Sequence, residues 1–353
     1  MIQFRNITFG YDKQNILFKE LNFEIKKNNF CSILGRSGSG KSTILYLISG
    51  IEQLNEKNRK WNSGSIFFYE NSEIDCPRKF IESERRNIAM VFQTPSLFPH
   101  KTIFQNIAFV MKKKNKEAII DFLRKIHMEK YIDSYPNQLS VGQQQRIAFA
   151  RALLSNASII LLDEPFSGLD FESKFLLYNL LLEIKLKQEK TIILVTHDFD
   201  EAAFFSNQFL IVNEQQICHY NSIEEIYNFP CSRYIASLFQ FTNILTGNFN
   251  EKNQTLETIF GEIKFIDQNG LKKIDYIIRP NDIDFLNKER NLSCEVLLKE
   301  IKFFGSYYII ICFSKKHQQM IFIQKNKIEN LNINKKIFIS PTSQEKIQII
   351  QKK

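Results

Sequence analysis

Apolar and polar residues alternate over the first thirty positions. In IQFRNITF, residues 2–9, apolar side chains fall at Ile2, Phe4, Ile7 and Phe9 with one slip of phase, and from Leu17 to Ile25 they recur at Leu21, Phe23 and Ile25; both patterns predict strands. FCSIL (30–34) is a short continuous apolar run ahead of a glycine-rich turn, and Lys41 to Ser49 then places Ile44, Leu45, Leu47 and Ile48 at helical spacing. Residues 52–64 are polar and predict a loop. Further strands are predicted at Ser65–Tyr69, Ile88–Phe92, Ile159–Leu162 and Thr191–Val195. Helices are predicted from Ile103 to about Lys130, from near Gly142 to about Leu154, and over 171–187 and 199–206. This alternation, continuing to about residue 238, predicts a mostly parallel sheet with helices on both faces.

After Phe239 the pattern changes to short alternating segments: Leu256–Phe265, Ile274–Arg279, Val296–Phe303, Tyr307–Phe313, Met320–Ile323 and Lys336–Ser340. Turn signals at Gln268-Asn269-Gly270 and Arg279-Pro280-Asn281-Asp282 separate some of them. A boundary is expected near Phe239 to Asn243, giving an α/β domain over 1–238 and a small all-β barrel or sandwich over 239–353. A length of 353 residues suits two domains.

Composition narrows the class. With 44% hydrophobic and 24% charged residues the chain is globular, and no run approaches the roughly 18 to 20 apolar residues that span a bilayer, so a channel or permease is excluded. The start, MIQFRNITFGY, lacks the pattern of an export signal. Six cysteines without a C-x-x-C pair indicate neither a zinc ribbon nor a secreted disulfide framework. Net charge is +9, and from Phe241 to Lys353 there are 18 Lys plus Arg against 12 Asp plus Glu. That surplus is scattered, not striped along one element, and 33 Phe with abundant Asn, Ile and Lys fit a base-composition bias better than a nucleic-acid footprint.

Gly35-Arg36-Ser37-Gly38-Ser39-Gly40-Lys41-Ser42, followed by Thr43, matches G-x-x-x-x-G-K-[ST] between a strand and a helix. Glycines let backbone N–H groups converge on phosphate oxygens, and the helix start adds its positive end. Lys41 would reach the β- and γ-phosphates, and the Ser42 hydroxyl would coordinate Mg²⁺. A second hydrophobic strand, Ile159 to Leu162, ends in Asp163-Glu164-Pro165. This strand is expected to lie beside the phosphate-loop strand, where Asp163 would hold Mg²⁺ and Glu164 would be the general base for an attacking water. The two acids need different roles, because two direct metal ligands would leave no base.

The stretch between these motifs is more specific. Leu139-Ser140-Val141-Gly142-Gln143-Gln144-Gln145-Arg146 resembles the signature motif of ATP-binding-cassette (ABC) ATPases; Asp163-Glu164-Pro165 with Ser167-Gly168-Leu169-Asp170 resembles their Walker B and D-loop; Thr196-His197-Asp198 resembles the switch-histidine loop; and Val91-Phe92-Gln93 resembles the Q-loop. Tyr11 falls where the family stacks an aromatic on adenine, with Phe9 as the alternative. These pieces follow the family's order over residues 1–238. The resemblance implies a P-loop cassette with an antiparallel β subdomain and a helical subdomain at about 94–150. His197 would contact the γ-phosphate, and Gln93 would sense Mg²⁺ and water. Two copies would pair head to tail, with Ser140, Gly142 and Gln143 of one covering ATP on the other.

Two departures stand out. Val141 replaces the usual glycine and brings a β-branched side chain that restricts the backbone. Loop 52–64 is longer than usual and carries Trp61. The segment Thr94 to Met111 resembles the importer stretch where a permease helix docks. The C-terminal region, through Arg279-Pro280 and Phe241 to Leu245, resembles the OB-like (TOBE-type) domain of importers for iron(III), sulfate, molybdate and polyamines. The resemblance thus implies an ATPase subunit peripheral to the cytoplasmic face of the cell membrane. It would serve two permease subunits and, indirectly, a solute-binding protein; iron(III) is the first expectation, and polyamine, sulfate or molybdate the alternative. A soluble ABC protein acting on nucleic acid or the ribosome is a further reading. It is opposed by the single cassette and the lack of a coiled-coil insertion. A binding module without turnover is opposed by intact Lys41, Asp163, Glu164 and His197.

Overall fold

The computed structural model describes residues 1–350 except 55–60, 69–71, 77–78, 112–114, 188, 266–271 and 329–330. The expected turn at Gln268-Asn269-Gly270 and most of loop 52–64 therefore lie outside the described residues. The chain divides by compactness into Met1–Ser222 and Ile223–Lys353. The sequence division at 238/239 falls further along; two short helices lie between the two marks.

The first unit opens with β1 (Ile2–Gly10), β2 (Ile16–Ile25), β3 (Phe30–Gly35), α1 (Lys41–Ser49), β4 (Ser63–Phe68), β5 (Ser72–Cys76), β6 (Lys79–Phe80) and β7 (Ile88–Val91). It continues with α2 (Ile103–Ala108), α3 (Lys116–Lys125), α4 (Val141–Leu153), β8 (Ile159–Asp163), α5 (Phe171–Lys187), β9 (Thr191–Val195), α6 (Phe199–Phe205), β10 (Gln208–Asn213) and β11 (Gln216–Tyr220). β1, β2, β4, β5 and β6 form an antiparallel sheet in the order β2-β1-β4-β5-β6. The phase slip seen in the first strand is a bulge. Pairing shifts register between Phe4 and Ile7, and Asn6 takes a left-handed φ of 51° with its N–H donated to Asn22 Oδ1 at 2.9 Å.

The second sheet has the order β11-β10-β3-β9-β8-β7. Its strands β10, β3, β9, β8 and β7 are parallel, and only β11 runs against its neighbour. β3, β8 and β9 are buried along their whole length, which is why they read as unbroken apolar runs. β9 stands between β3 and β8, so the strand that ends in Asp163 is not the direct neighbour of the phosphate-loop strand as expected; pairing of both with β9 still sets Ile33, Val195 and Asp163 at one level, with Val91 paired to Leu162 beside them. The carboxyl ends of β3, β8, β9 and β7 therefore deliver the phosphate loop, Asp163-Glu164, the 196–198 turn and Gln93 to one edge of the sheet, the usual ligand edge of an open parallel sheet.

The helical stretch expected from 103 to 130 is broken into α2 and α3. Asn115 starts a new helix by accepting from Ala118 N–H, and Thr102 and Gln105 form a capping box at the start of α2. α4 begins one residue before the expected Gly142, because Ser140 and Gln143 form a second capping box. Among the described residues no helix is long and apolar enough to cross a membrane.

The second unit holds α7 (Ile223–Asn228), α8 (Arg233–Ala236), β12 (Asn243–Asn250), β13 (Thr255–Thr258), β14 (Gly261–Lys264), β15 (Lys273–Ile278), β16 (Ile283–Leu286), β17 (Cys294–Phe303), β18 (Tyr308–Ser314), β19 (Gln319–Lys325), β20 (Lys336–Pro341) and β21 (Gln348–Ile349). The strands divide into two five-stranded antiparallel sheets, β14-β13-β12-β15-β21 and β16-β20-β17-β18-β19, over one apolar core. The single segment expected at 256–265 is a tight hairpin of β13 and β14. Arg279 is 1% exposed; its guanidinium donates to Thr242 Oγ1 at 2.6 Å and to the carbonyl of Tyr227, and it lies 4.0 Å from the Tyr227 ring centroid. In the Arg-Pro pair, then, the arginine is a buried tie within the unit.

Candidate active site

The phosphate loop leaves β3 at Gly35 and enters α1 through Gly40. Gly38 and Gly40 have φ of 76° and 96°, and a Cβ at Gly40 would lie 2.6 Å from the Phe18 ring. Glycine is required there on both counts. The start of α1 has no side-chain cap, and Ser39 Oγ is buried with no hydrogen-bond partner among the described residues. A row of uncapped N–H groups with a buried orphan hydroxyl is the environment an anion completes. Lys41 is 6% exposed and donates to the carbonyls of Gly35 and Arg36, each at 3.1 Å. Burial lowers its pKa, against the pull of Glu164 and Asp163.

Asp163 ends β8 at 3% exposure and accepts from Ser42 Oγ at 2.9 Å. Burial raises its pKa, while the bond from Ser42 and one from the Tyr46 hydroxyl favour the ionised form. Tyr46 is a site residue that the motifs do not reveal; its position one helical turn after Ser42 on α1 was the available signal. Hard oxygen donors from Ser42 and Asp163 at the mouth of an anion site fit Mg²⁺ held with a nucleotide.

Glu164 follows in a left-handed conformation with φ of 43°. A non-glycine residue there stores strain on the order of 1–3 kcal/mol, and such strain concentrates at functional sites. Its N–H donates to the carbonyl of Val195 at 2.9 Å, fixing the turn against β9. Two side chains meet one oxygen of its carboxylate: Gln93 Nε2 donates to Oε2 at 3.3 Å, and His197 Nδ1 lies 3.3 Å from the same atom. The expected trio of Glu164, Gln93 and His197 is thus brought together.

The histidine turn has its own support. Thr196 Oγ1 donates to Glu201 Oε2 at 2.6 Å, and Lys174 Nζ of α5 reaches Glu201 Oε1 at 2.6 Å and Asp198 Oδ2 at 3.6 Å. Asp198 caps α6 by accepting from the N–H groups of Asp200 and Glu201. Neither Lys174 nor Glu201 belongs to a motif read from the sequence.

Comparison with known proteins gives the family. Residues 18–167 match the family model described as ABC transporter. The spermidine/putrescine import ATP-binding protein PotA of Mycoplasma mycoides subsp. mycoides is 34% identical over 337 residues, covering 91% of this chain and 90% of that protein. The protein of the same name from Borrelia garinii subsp. bavariensis is 32% identical, covering 97% and 96%. The chain belongs to the ABC transporter ATP-binding family. Among solved structures, the dimeric ATP-binding cassette MJ0796 in a post-hydrolysis state, bound to ADP and Pi, is 29% identical with a TM-score of 0.53, covering 63% of this chain and 98% of that one. The relatives' names speak for polyamine import, the alternative expectation, and give no support to the iron(III) expectation.

In this ABC ATPase the signature residues are held by their own helix start. Ser140 Oγ accepts from Gln143 N–H at 3.3 Å, Gln143 Oε1 accepts in return from Ser140 N–H at 2.9 Å, and Gln143 Nε2 donates to the Tyr131 hydroxyl at 3.2 Å. Gly142 faces the 167–170 turn, where a Cβ would lie 3.6 Å from Leu169. Val141 is the first helical residue, is not among the positive-φ positions, and is 70% exposed. The restriction expected from its β-branch therefore meets no unusual backbone demand. Gln145, 3% exposed, donates to the carbonyls of Phe92 and Pro165 at 3.3 Å each, joining the signature helix to the Q-loop and the Walker B turn. At the opposite end of the site Phe9 is fully buried, whereas Tyr11 is 45% exposed and its hydroxyl lies 3.1 Å from Thr43 Oγ1. Arg36 and Ser37 are exposed in the phosphate loop.

Proposed function

We propose that the chain is the ATP-hydrolysing subunit of an ABC importer for polyamines, acting as a pair of cassettes on two permease subunits at the cytoplasmic face of the membrane and served by an extracytoplasmic solute-binding protein. The observation that carries the polyamine reading is the 34% identity to a spermidine/putrescine import ATP-binding protein over nine-tenths of both chains. Hydrolysis is supported separately by the meeting of Gln93 and His197 on Glu164, beside the Ser42–Asp163 bond.

In this reading the N–H groups at the start of α1 and the Lys41 ammonium bind the β- and γ-phosphates. Ser42, Asp163 and Gln93 would hold Mg²⁺, which when bound neutralises charge between those phosphates. Glu164 accepts the proton of the attacking water; its strained backbone and the Val195 bond aim the carboxylate. His197 contacts the γ-phosphate. Ser140, Gly142 and Gln143 of the second copy close over the nucleotide, so closure depends on the γ-phosphate and ends with its release. The C-terminal unit serves as a TOBE-type accessory domain.

The test is reconstitution. The chain is co-purified with its permease from detergent-solubilised membranes and placed in proteoliposomes. ATPase activity should rise with spermidine- or putrescine-loaded binding protein, and not with iron(III), sulfate or molybdate. Stimulation by one of the latter would replace the polyamine reading. Isolation without any membrane partner, together with salt-sensitive RNA binding, would overturn the importer itself.

A further inference from the structure

We infer that Trp61 and Asn62 are positioning residues for recognition of the nucleotide base: they grip one residue, Gly10, through the two peptide units that flank it and thereby fix the turn that carries Tyr11. The inference rests on the nucleotide reading of the site and adds a role for a loop that none of the nucleotide-binding motifs includes.

β1 ends at Gly10, and Tyr11 follows at the head of a turn that returns to β2. The Gly10 residue is held from both of its polar groups. Its N–H donates to Asn62 Oδ1 at 2.9 Å, and its carbonyl accepts from Trp61 Nε1 at 3.0 Å. No larger residue can stand there, since a Cβ would lie 2.7 Å from the carbonyl oxygen of Asn15. The turn is also braced from within: Asp12 Oδ1 accepts from the N–H groups of Gln14 and Asn15 at 2.9 and 2.8 Å. Tyr11 itself is tethered to the phosphate-loop helix through Thr43 and packs edge-on against Phe9, with ring centroids 5.3 Å apart.

Asn62 is buried for the sake of this one bond. The side chain is 5% exposed, and its Nδ2 has no hydrogen-bond partner among the described residues. An unsatisfied buried amide is costly, and the bond from Gly10 N–H is the compensating contact the structure shows. A stacking platform held in place before the ligand arrives loses less entropy on binding than a mobile one. Trp61 and Asn62 thus act on the base end of ATP. The phosphate end is served by α1 and Lys41.

Two ligands separate these ends: ATP, and inorganic tripolyphosphate, which has the phosphates and no base. The full chain is used with Mg²⁺ present. Trp61→Phe, which keeps an aromatic ring and removes the N–H donor, should weaken ATP binding about fivefold, the scale of one hydrogen bond. Tripolyphosphate binding should be unchanged. The KM for ATP should rise in parallel, while kcat stays within about twofold. Asn62→Leu should act in the same direction. In the native chain Trp61 is the sole tryptophan, so its emission should shift on adding ATP and not on adding tripolyphosphate. This readout needs no variant to fold. Equal weakening of both ligands, an ATP affinity untouched by Trp61→Phe, or an emission change common to both ligands would overturn the inference while leaving the ATPase reading intact. Failure of the native chain to bind ATP at all would remove that reading as well.

Discussion

Lys41, Asp163 and Glu201 in the first unit and Arg279 in the second are charged groups exposed by 6, 3, 6 and 1%. Their bonding differs. The terminal nitrogens of the Arg279 guanidinium donate to groups of its own unit, the Tyr227 and Ala236 carbonyls and the Thr242 hydroxyl, and the group lies over the rings of Tyr227 and Phe239; its Nε alone is buried without a partner among the described residues. Lys41 and Asp163 sit beside an uncapped helix start, an orphan Ser39 hydroxyl and a strained Glu164. Burial of charge therefore does not mark a functional site by itself. The mark is bonding capacity that converges on a place where the chain supplies no partner.

The most severe test of this contrast is Glu164→Gln. It keeps the shape and both neighbours but removes the base, so turnover should fall by about 10²–10⁴ while ATP binding is retained and closed pairs accumulate. Native-rate hydrolysis would show that the convergence of Gln93 and His197 is not catalytic. Lys41→Ala should instead lose nucleotide affinity, read by equilibrium ATP binding. Arg279→Met probes the other side. Removing the cation leaves buried carbonyls unpaired, and stability of the second unit should fall by about 3 kcal/mol in denaturant unfolding, with ATP affinity unchanged. A loss of ATP affinity would mean that Arg279 does more than tie its unit together.

A milder test lies between these extremes. Glu201 is bound to Thr196 and Lys174 at 2.6 Å each, so it is tied into its surroundings as Arg279 is, yet its ties hold the turn that presents His197. Glu201→Gln should cost about 2 kcal/mol in stability and also lower kcat with little change in KM, because the histidine is then less well placed. A stability loss with unaltered kcat would class Glu201 with Arg279.

The legible parts of this fold are those whose chemistry follows chain order. The phosphate loop and Asp163-Glu164 each close a buried apolar strand and were legible from that pattern, whereas Gln93 and His197 were legible only through the resemblance of their tripeptides to family motifs. The bulge at Asn6 was visible as a phase slip but not as a bulge, because Asn6 and Asn22 meet only across the sheet. Lys174, Glu201, Gln145 and Tyr46 were not legible, since each acts through a partner distant in sequence or one turn away on a helix. The break between α2 and α3 was missed because Ile107 and Ile119 keep apolar helical spacing on both sides of the Asn115 cap. In the second unit, alternation gave β13 to β15 and β17 to β20 but missed β12, β16 and β21, and it could not say that the strands divide between two sheets, since register between strands is not written in either one alone.

The smallest effect concerns a carboxylate near the far end of α1. Arg86 donates to the Leu47 and Ile48 carbonyls at the helix C-terminus, at 2.7 and 3.0 Å, and to Ile81. Asp75, 1% exposed, accepts from Leu54 N–H at 3.1 Å, but its Oδ1 and Arg86 Nη2 are both buried without partners among the described residues. Burial raises the Asp75 pKa to about 6, although the Leu54 bond and the Arg86 charge oppose the rise. The folded state then holds a proton on Asp75 that the unfolded chain releases near pH 4, so this group's contribution to stability declines as pH climbs from about 4 to 6. Asp75→Asn removes the titration. The stability of the variant relative to the native chain should therefore improve by about 1–2 kcal/mol across that window and level off above it. Any fixed penalty from leaving Arg86 without its counter-charge shifts the difference but not its slope. Urea unfolding of both chains at pH 4, 5, 6 and 7 reads that slope; a flat difference would mean that Asp75 is ionised throughout, and that the first unit, like the second, can hold a buried charge with no ligand to answer it.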